Sequence, residues 1–194
     1  MDERKLIGWM RGLCGLDARV RVGIGDDAAV VRPAGRRDLL LTTDMIVEDV
    51  HFRRRPAKER AWGYKAMMRN VSDVAAMGGV PFYALVAIGL PVRFPLERAR
   101  RIGRGLYEAA RAAGVRIVGG DTSRSDRIVI SVSLLGEVER GRAVRRSGAR
   151  PRDVIFVTGP LGGSLDSGRH LAFVPRLRES RFLGRFYRPH AMID

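Results

Sequence analysis

The sequence predicts a mixed α and β (α+β) fold: an N-terminal domain with a sheet flanked by helices, followed by the start of a second α/β domain. Apolar runs of strand length alternate with stretches of helical spacing. Glycines close several of those stretches, as at Gly78-Gly79 and Gly114. After about residue 150 a fresh strand-like run begins, but the 194-residue chain leaves too little behind it to close a second sheet-based domain. The expected boundaries are residues 1–146 for the first domain and 147–194 for an incomplete second one.

Taken in order, Asp2 suits the cap of a first helix with Leu6, Ile7, Met10 and Leu13 on one face. Residues 20–24 alternate like a strand and run into Gly25-Asp26-Asp27, and a short strand follows at 28–31. Residues 39–44 form an apolar run ending in Thr42-Thr43-Asp44, the pattern of a buried strand delivering polar groups at its C-terminal end. From 57 to 77 the spacing of Trp62, Ala66, Met67, Val71, Val74 and Met77 is helical, and Pro81 stops any continuation. Residues 83–90 read as a strand, 96–113 as an amphipathic helix, 115–118 as a short strand meeting Gly119-Gly120-Asp121, and 128–138 as the longest strand. Residues 147–153 read as a linker, 154–157 as a new strand, 159–163 as a glycine-rich turn, and the rest as one or two helical pieces.

Composition narrows the function. Hydrophobic residues make up 45% of the chain, enough for a core. A single cysteine, Cys14, excludes an intramolecular disulfide and makes a reducing cytoplasm the expected compartment. No signal core or bilayer-length apolar run is present, so no membrane association is expected. The net charge of +15 invites a nucleic-acid reading. Only residues 5, 58 and 65 are lysine, however, and the arginines are scattered over nearly every segment without a recognisable binding module. No nucleic-acid partner is expected, and the positive field suits an anionic small molecule.

Four segments share one design, an apolar element delivering an aspartate beside glycine, threonine or serine. They are Gly25-Asp26-Asp27, Thr42-Thr43-Asp44, Asn70-Val71-Ser72-Asp73 and Gly119-Gly120-Asp121-Thr122, with Asp194 as a fifth candidate. Each alone has a plainer explanation: a solvated turn for the glycine segments, or a surface pair on a helix for Asp73 and Arg69. Together they suit a hard cation such as magnesium, which takes oxygen ligands. Carboxylates gathered without a cation would repel one another. The phosphate-binding P-loop, the dinucleotide fingerprint, a zinc spacing and the Gly-x-Ser-x-Gly nucleophile elbow are all missing.

The segments at 23–30 (GIGDDAAV), 40–52 (LLTTDMIVEDVHF), 64–81 (YKAMMRNVSDVAAMGGVP), 119–138 (GGDTSRSDRIVISVSLLGEV) and 145–153 (RRSGARPRD) resemble the thiamine-monophosphate kinase family. That family shares a superfamily with aminoimidazole ribonucleotide synthetase, selenophosphate synthetase and a hydrogenase maturation factor. The resemblance implies ATP-dependent phosphorylation of thiamine monophosphate to thiamine diphosphate by direct in-line transfer, with several Mg2+ ions, ATP as co-substrate and a homodimer. It places Asp27, Thr42, Thr43, Asp44, Asp73, Asp121 and Asp194 on magnesium positions. It places Tyr107, Gly120, Asp121 and Arg146 on ATP positions, and His51 against the substrate. No catalytic nucleophile, acid or base is implied, because the acceptor is already an anion. In the family the final strand continues as Ile-Asp-x-Ser-Asp-Gly-Leu, whereas this sequence halts at Ile193-Asp194. The expectation is a truncated reading frame with impaired activity and exposed apolar surface after about 151. The rival expectation is a non-catalytic dimerisation or regulatory fragment.

Overall fold

The computed structural model describes residues 18–23, 26–54 and 58–194. The first expected helix and the expected contributions of Ile24 and Gly25 lie outside the described residues. Six strands form one sheet, β1 (Val20–Val22), β2 (Ala29–Val31), β3 (Arg37–Val47), β4 (Val80–Leu90), β5 (Arg116–Arg124) and β6 (Val129–Glu139). Their order across the sheet is β1-β2-β3-β6-β4-β5. All pairings are antiparallel except β4 with β5. A parallel pair needs a crossover, and helix α2 (Leu96–Ala112) supplies it, while α1 (Glu59–Ala76) links β3 to β4.

Helix α1 forms where the apolar spacing predicts it, burying Trp62, Met67, Val71 and Val74 against the sheet. It ends as the sequence suggests. Gly78 adopts a left-handed backbone (φ 74°), its N–H and that of Gly79 returning to the carbonyls of Ala75 and Val74. Ring stacking of Phe52 on Trp62, centroids 4.7 Å apart, pins the β3–α1 loop to the helix. Helices α1 and α2 cross closely because two glycines leave room: a Cβ on Gly63 would meet the Ile102 carbonyl at 2.1 Å, and one on Gly105 the Arg60 carbonyl at 1.9 Å.

Three expectations need correction. Strand β3 does not end at Asp44 but runs on to Val47, so Thr42-Thr43-Asp44 lies inside the strand. Strand β5 does not stop before Gly119-Gly120-Asp121 but runs through it to Arg124, so this segment is a strand interior and not a turn. Parallel pairing with β4 continues through Val86–Gly120 and Ala87–Asp121, and the absence of a Cβ at Gly120 allows it, since one would lie 1.8 Å from the Val86 carbonyl. Residues 154–157 form no strand; Ile155 and Phe156 are 90% and 86% exposed, and no strand among the described residues pairs with them. Four apolar side chains do not make a strand without a neighbour to take their backbone hydrogen bonds. Beyond them lie a short 3-10 turn at Arg169–Leu171 and helix α3 (Leu177–Phe186), with Ser180 hydrogen-bonded to the Ala75 carbonyl of α1.

Candidate functional site

Strand β3 and helix α1 build the site between them. Alternation along β3 sends Leu40, Thr42, Asp44 and Ile46 to the helix-covered face, and fully buried Leu40 and Ile46 hold the strand there. From α1, Asp73 accepts a hydrogen bond from the Thr42 hydroxyl at 2.6 Å. One turn earlier, buried Asn70 joins the two elements. Its Oδ1 accepts the Asp44 backbone N–H at 2.9 Å, and its Nδ2 donates to the Ala66 carbonyl at 3.0 Å. The Asn70 amide therefore fixes where Asp44 begins, and Thr42 fixes which way Asp73 points.

Asp27 arrives from the loop before β2. The Arg146 guanidinium lies 3.6 Å from Asp26 and 3.5 Å from Asp27, and Asp26 also accepts the Asp27 N–H at 3.0 Å. Asp26 thus supports the loop and orients the arginine. The Oδ2 of Asp27 is buried with no hydrogen-bond partner among the described residues. An orphaned carboxylate oxygen is costly unless something cationic meets it.

Four carboxylates from distant stretches sense one another here. Burial, the neighbouring Asp194 and Asp26 carry the Asp27 pKa up to about 6 against the opposing pull of Arg146. Burial, with Asp44, Asp194 and Asp27, carries Asp73 up to about 7 despite the Thr42 hydrogen bond. Asp44 is raised by burial and by Asp194, with Arg69 opposing. The Asp194 carboxylate thus acts on all three of the others. Among the described residues, no three His, Cys, Asp or Glu side chains close around a single point. Like charges hold one another apart, and Arg69 and Arg146 supply the counter-charge. Arg69 pairs with Asp44 at 2.9 Å, across to β3, and not with Asp73 along its own helix. The donor set nevertheless suits a divalent cation: oxygen-only, anionic, part-buried and holding one unmatched oxygen.

A cationic edge borders the carboxylates. The His51 Nδ1 accepts the Val47 N–H at 3.1 Å, closing the turn after β3. Lys65 donates to the His51 carbonyl at 2.8 Å, and its Nζ lies 3.0 Å from the Nδ1 of His170.

Other expected residues do not join. Thr43 faces the opposite side of the sheet, bonded to the Val132 carbonyl and the Ser133 hydroxyl, so only its backbone is near the carboxylates. Asp121 shares a cross-strand row with Ala87, Ser131 and Met45, on the Thr43 side of the sheet. Three strand spacings put it about 14 Å from Met45. Its described polar contact is the Ser123 hydroxyl at 3.3 Å. Gly120 and Asp121 line a shallow cleft of about 450 Å³ with Gly103 and Leu106 of α2, and Tyr107 is an exposed residue of that helix. The sequence reading overlooked Asn70 as a positioning residue, and Lys65 and His170 altogether. One signal was available: Lys65, Arg69 and Asp73 recur every four residues and so share a helix face.

Comparison with known proteins adds a family. The AIR synthase related protein, N-terminal domain, matches residues 25–138. Thiamine-monophosphate kinase of Bacillus subtilis (strain 168) is 39% identical over 165 residues, 84% of this chain and 51% of the relative. Thiamine-monophosphate kinase of Methanospirillum hungatei JF-1 is 34% identical across 100% of this chain and 67% of the relative. A solved structure of AaThiL complexed with AMPPCP and TMP superposes with a TM-score of 0.84 at 36% identity, covering 94% of this chain and 62% of that one. The chain thus spans about half to two-thirds of the length of these proteins.

Proposed function

The chain belongs to the thiamine-monophosphate kinase family of AIR synthase related proteins, and from that premise we propose that its aspartate site binds ATP with Mg2+ for phosphoryl transfer to thiamine monophosphate. The observation that carries this reading is the approach of Asp27, Asp44, Asp73 and Asp194, drawn from four separate stretches: the first three are raised in pKa by burial, and the Asp194 carboxylate acts on each of them. Relatives named thiamine-monophosphate kinase, and a neighbour complexed with AMPPCP and TMP, support this substrate class.

In this reading Asp27, Asp44, Asp73 and Asp194 hold the metal, with the Thr42 hydroxyl fixing Asp73 beside them. Magnesium, when bound, neutralises phosphate charge and orients the polyphosphate. Arg146 is held at the edge of the cluster by Asp26 and Asp27, from which its guanidinium can meet a phosphate oxygen. His51 is close enough to Asp44 for each to act on the other, and it is assigned to the acceptor on family resemblance. In the transfer an oxygen of the acceptor monophosphate bonds to the γ-phosphorus as the bond from that phosphorus to the ADP oxygen breaks. The acceptor oxygen is already anionic, so no proton has to be removed and positioning dominates the rate. Tyr107, Gly120 and Asp121 are assigned to ATP on family resemblance, and Asp121 and Thr43 to metal on the same ground. The sheet's open face, where Leu41, Met45, Tyr83 and Leu85 are exposed, is proposed to cover itself with a second copy as a homodimer.

Calorimetry of the chain with ATP, with and without magnesium chloride, tests the reading. Binding that requires magnesium and weakens at least tenfold in Asp73→Asn is expected. Equal ATP binding without magnesium, or in Asp73→Asn, would overturn it.

A further inference from the structure

Lys65 is a part-buried cation with no acidic partner among the described residues. Its ammonium donates to one neutral carbonyl, that of His51, and meets one imidazole nitrogen, that of His170. Among the described residues no carboxylate pairs with it, whereas Arg69, one turn along the same face, is matched by Asp44. Lysines are seldom buried without a counter-ion, because desolvating the ammonium is costly. The charged groups that press on Lys65 make this worse: Arg69 adds like charge. His51, Lys65 and His170 come from three elements, the turn after β3, helix α1 and the 3-10 turn Arg169–Leu171, and the lysine is where they meet. A packing role alone gives no reason for a cation at this junction, since a methionine would fill the same stem volume without the desolvation cost.

We propose that Lys65, held between His51 and His170 at the edge of the carboxylate cluster, is an anion-binding residue that receives the phosphate monoester of the acceptor. This deepens the kinase reading and rests on it for the identity of the acceptor, but the anion site itself stands on the geometry of Lys65. Its ammonium has three protons and two described partners, which leaves one to direct at a phosphate oxygen. The His170 contact brings the second part of the chain onto α1, so an anion bound here is covered from both parts. Attraction to Lys65 also counters the repulsion between an acceptor dianion and the nearby aspartates.

The test is proton and nitrogen NMR of the His51 and His170 side chains during titration with inorganic phosphate at fixed magnesium, on wild type, Lys65→Met and Lys65→Arg. Saturable shifts of both imidazoles are expected in wild type, with affinity weakened at least tenfold in Lys65→Met and largely restored in Lys65→Arg. Imidazole signals that ignore phosphate in wild type, or that respond equally in a folded Lys65→Met, overturn the anion site. If Lys65→Met does not fold, the wild-type titration and Lys65→Arg still decide, since Lys65→Arg must then retain the phosphate response. Titration with thiamine monophosphate separates the two claims. A response to phosphate without a tighter response to the thiamine ester leaves the Lys65 site standing and removes the kinase reading.

Discussion

Asp73 is the side chain on which burial and charge press hardest, and its titration gives a signed prediction. Its folded pKa, near 7, lies above the 3.8 of the unfolded chain, so the folded state binds the proton more tightly. Between those values stability must fall as pH rises, and above about 7 the whole penalty of an ionised Asp73 is present. Asp73→Asn removes that penalty while its carbonyl oxygen can still accept the Thr42 hydroxyl. In magnesium-free buffer at pH 8 the variant should be more stable by roughly 1–2 kcal/mol, after discounting for solvent screening, and about equal to wild type near pH 4. Chemical denaturation at the two pH values measures it, and a variant that is less stable at pH 8 would contradict it. At this scale the sequence was legible where an aspartate followed an apolar run or lay on a helical face, as for Asp44, which sits inside β3 and not at its end, and Asp73. It was not legible for Asn70 or Lys65, whose roles depend on backbone groups of another element: nothing local in a sequence says that an amide 26 positions away will cap Asp44.

Among the elements, helix α1 carries the most, since Lys65, Arg69, Asn70 and Asp73 all ride on it. Its position depends on the glycine crossing with α2. Gly105→Ala would force a methyl into the Arg60 carbonyl, and the helices would have to separate, at a cost of about 3 kcal/mol. Gly103→Ala, on the same helix with nothing within 4 Å of the new methyl, should instead stabilise by about 0.5–1 kcal/mol through helix propensity. Thermal melts of the pair check this, and equal effects would contradict the close crossing. Strand and helix positions were readable because apolar periodicity reports one buried face. The extension of β5 through Gly119-Gly120-Asp121 was not, because glycine usually marks a turn and here serves close approach to β4. The missing strand at 154–157 has the converse reason: its apolar residues satisfy a strand pattern, but pairing needs a partner that no local pattern supplies.

For the whole molecule, the sheet has one face packed under α1 and α2 and another bearing Leu41, Met45, Tyr83 and Leu85 in the open. Association through that face predicts twice the chain mass in light scattering at tens of micromolar protein, and a monomer mass there would contradict it. A cation held among the aspartates would tie the two parts of the chain together, because Asp44 and Asp73 belong to β3 and α1 and Asp27 to the loop before β2, whereas Asp194 lies in the second part. A cation bound there stabilises the folded state by mass action in proportion to its occupancy. Thermal unfolding at pH 8 with and without millimolar magnesium chloride, for wild type, Asp27→Asn and Asp73→Asn, tests this most directly. The melting temperature of wild type should rise by several degrees with magnesium, and the rise should shrink to a degree or less in both variants. A wild-type melt that ignores magnesium, or variants that respond as strongly as wild type, would contradict the meeting of these aspartates at a metal site.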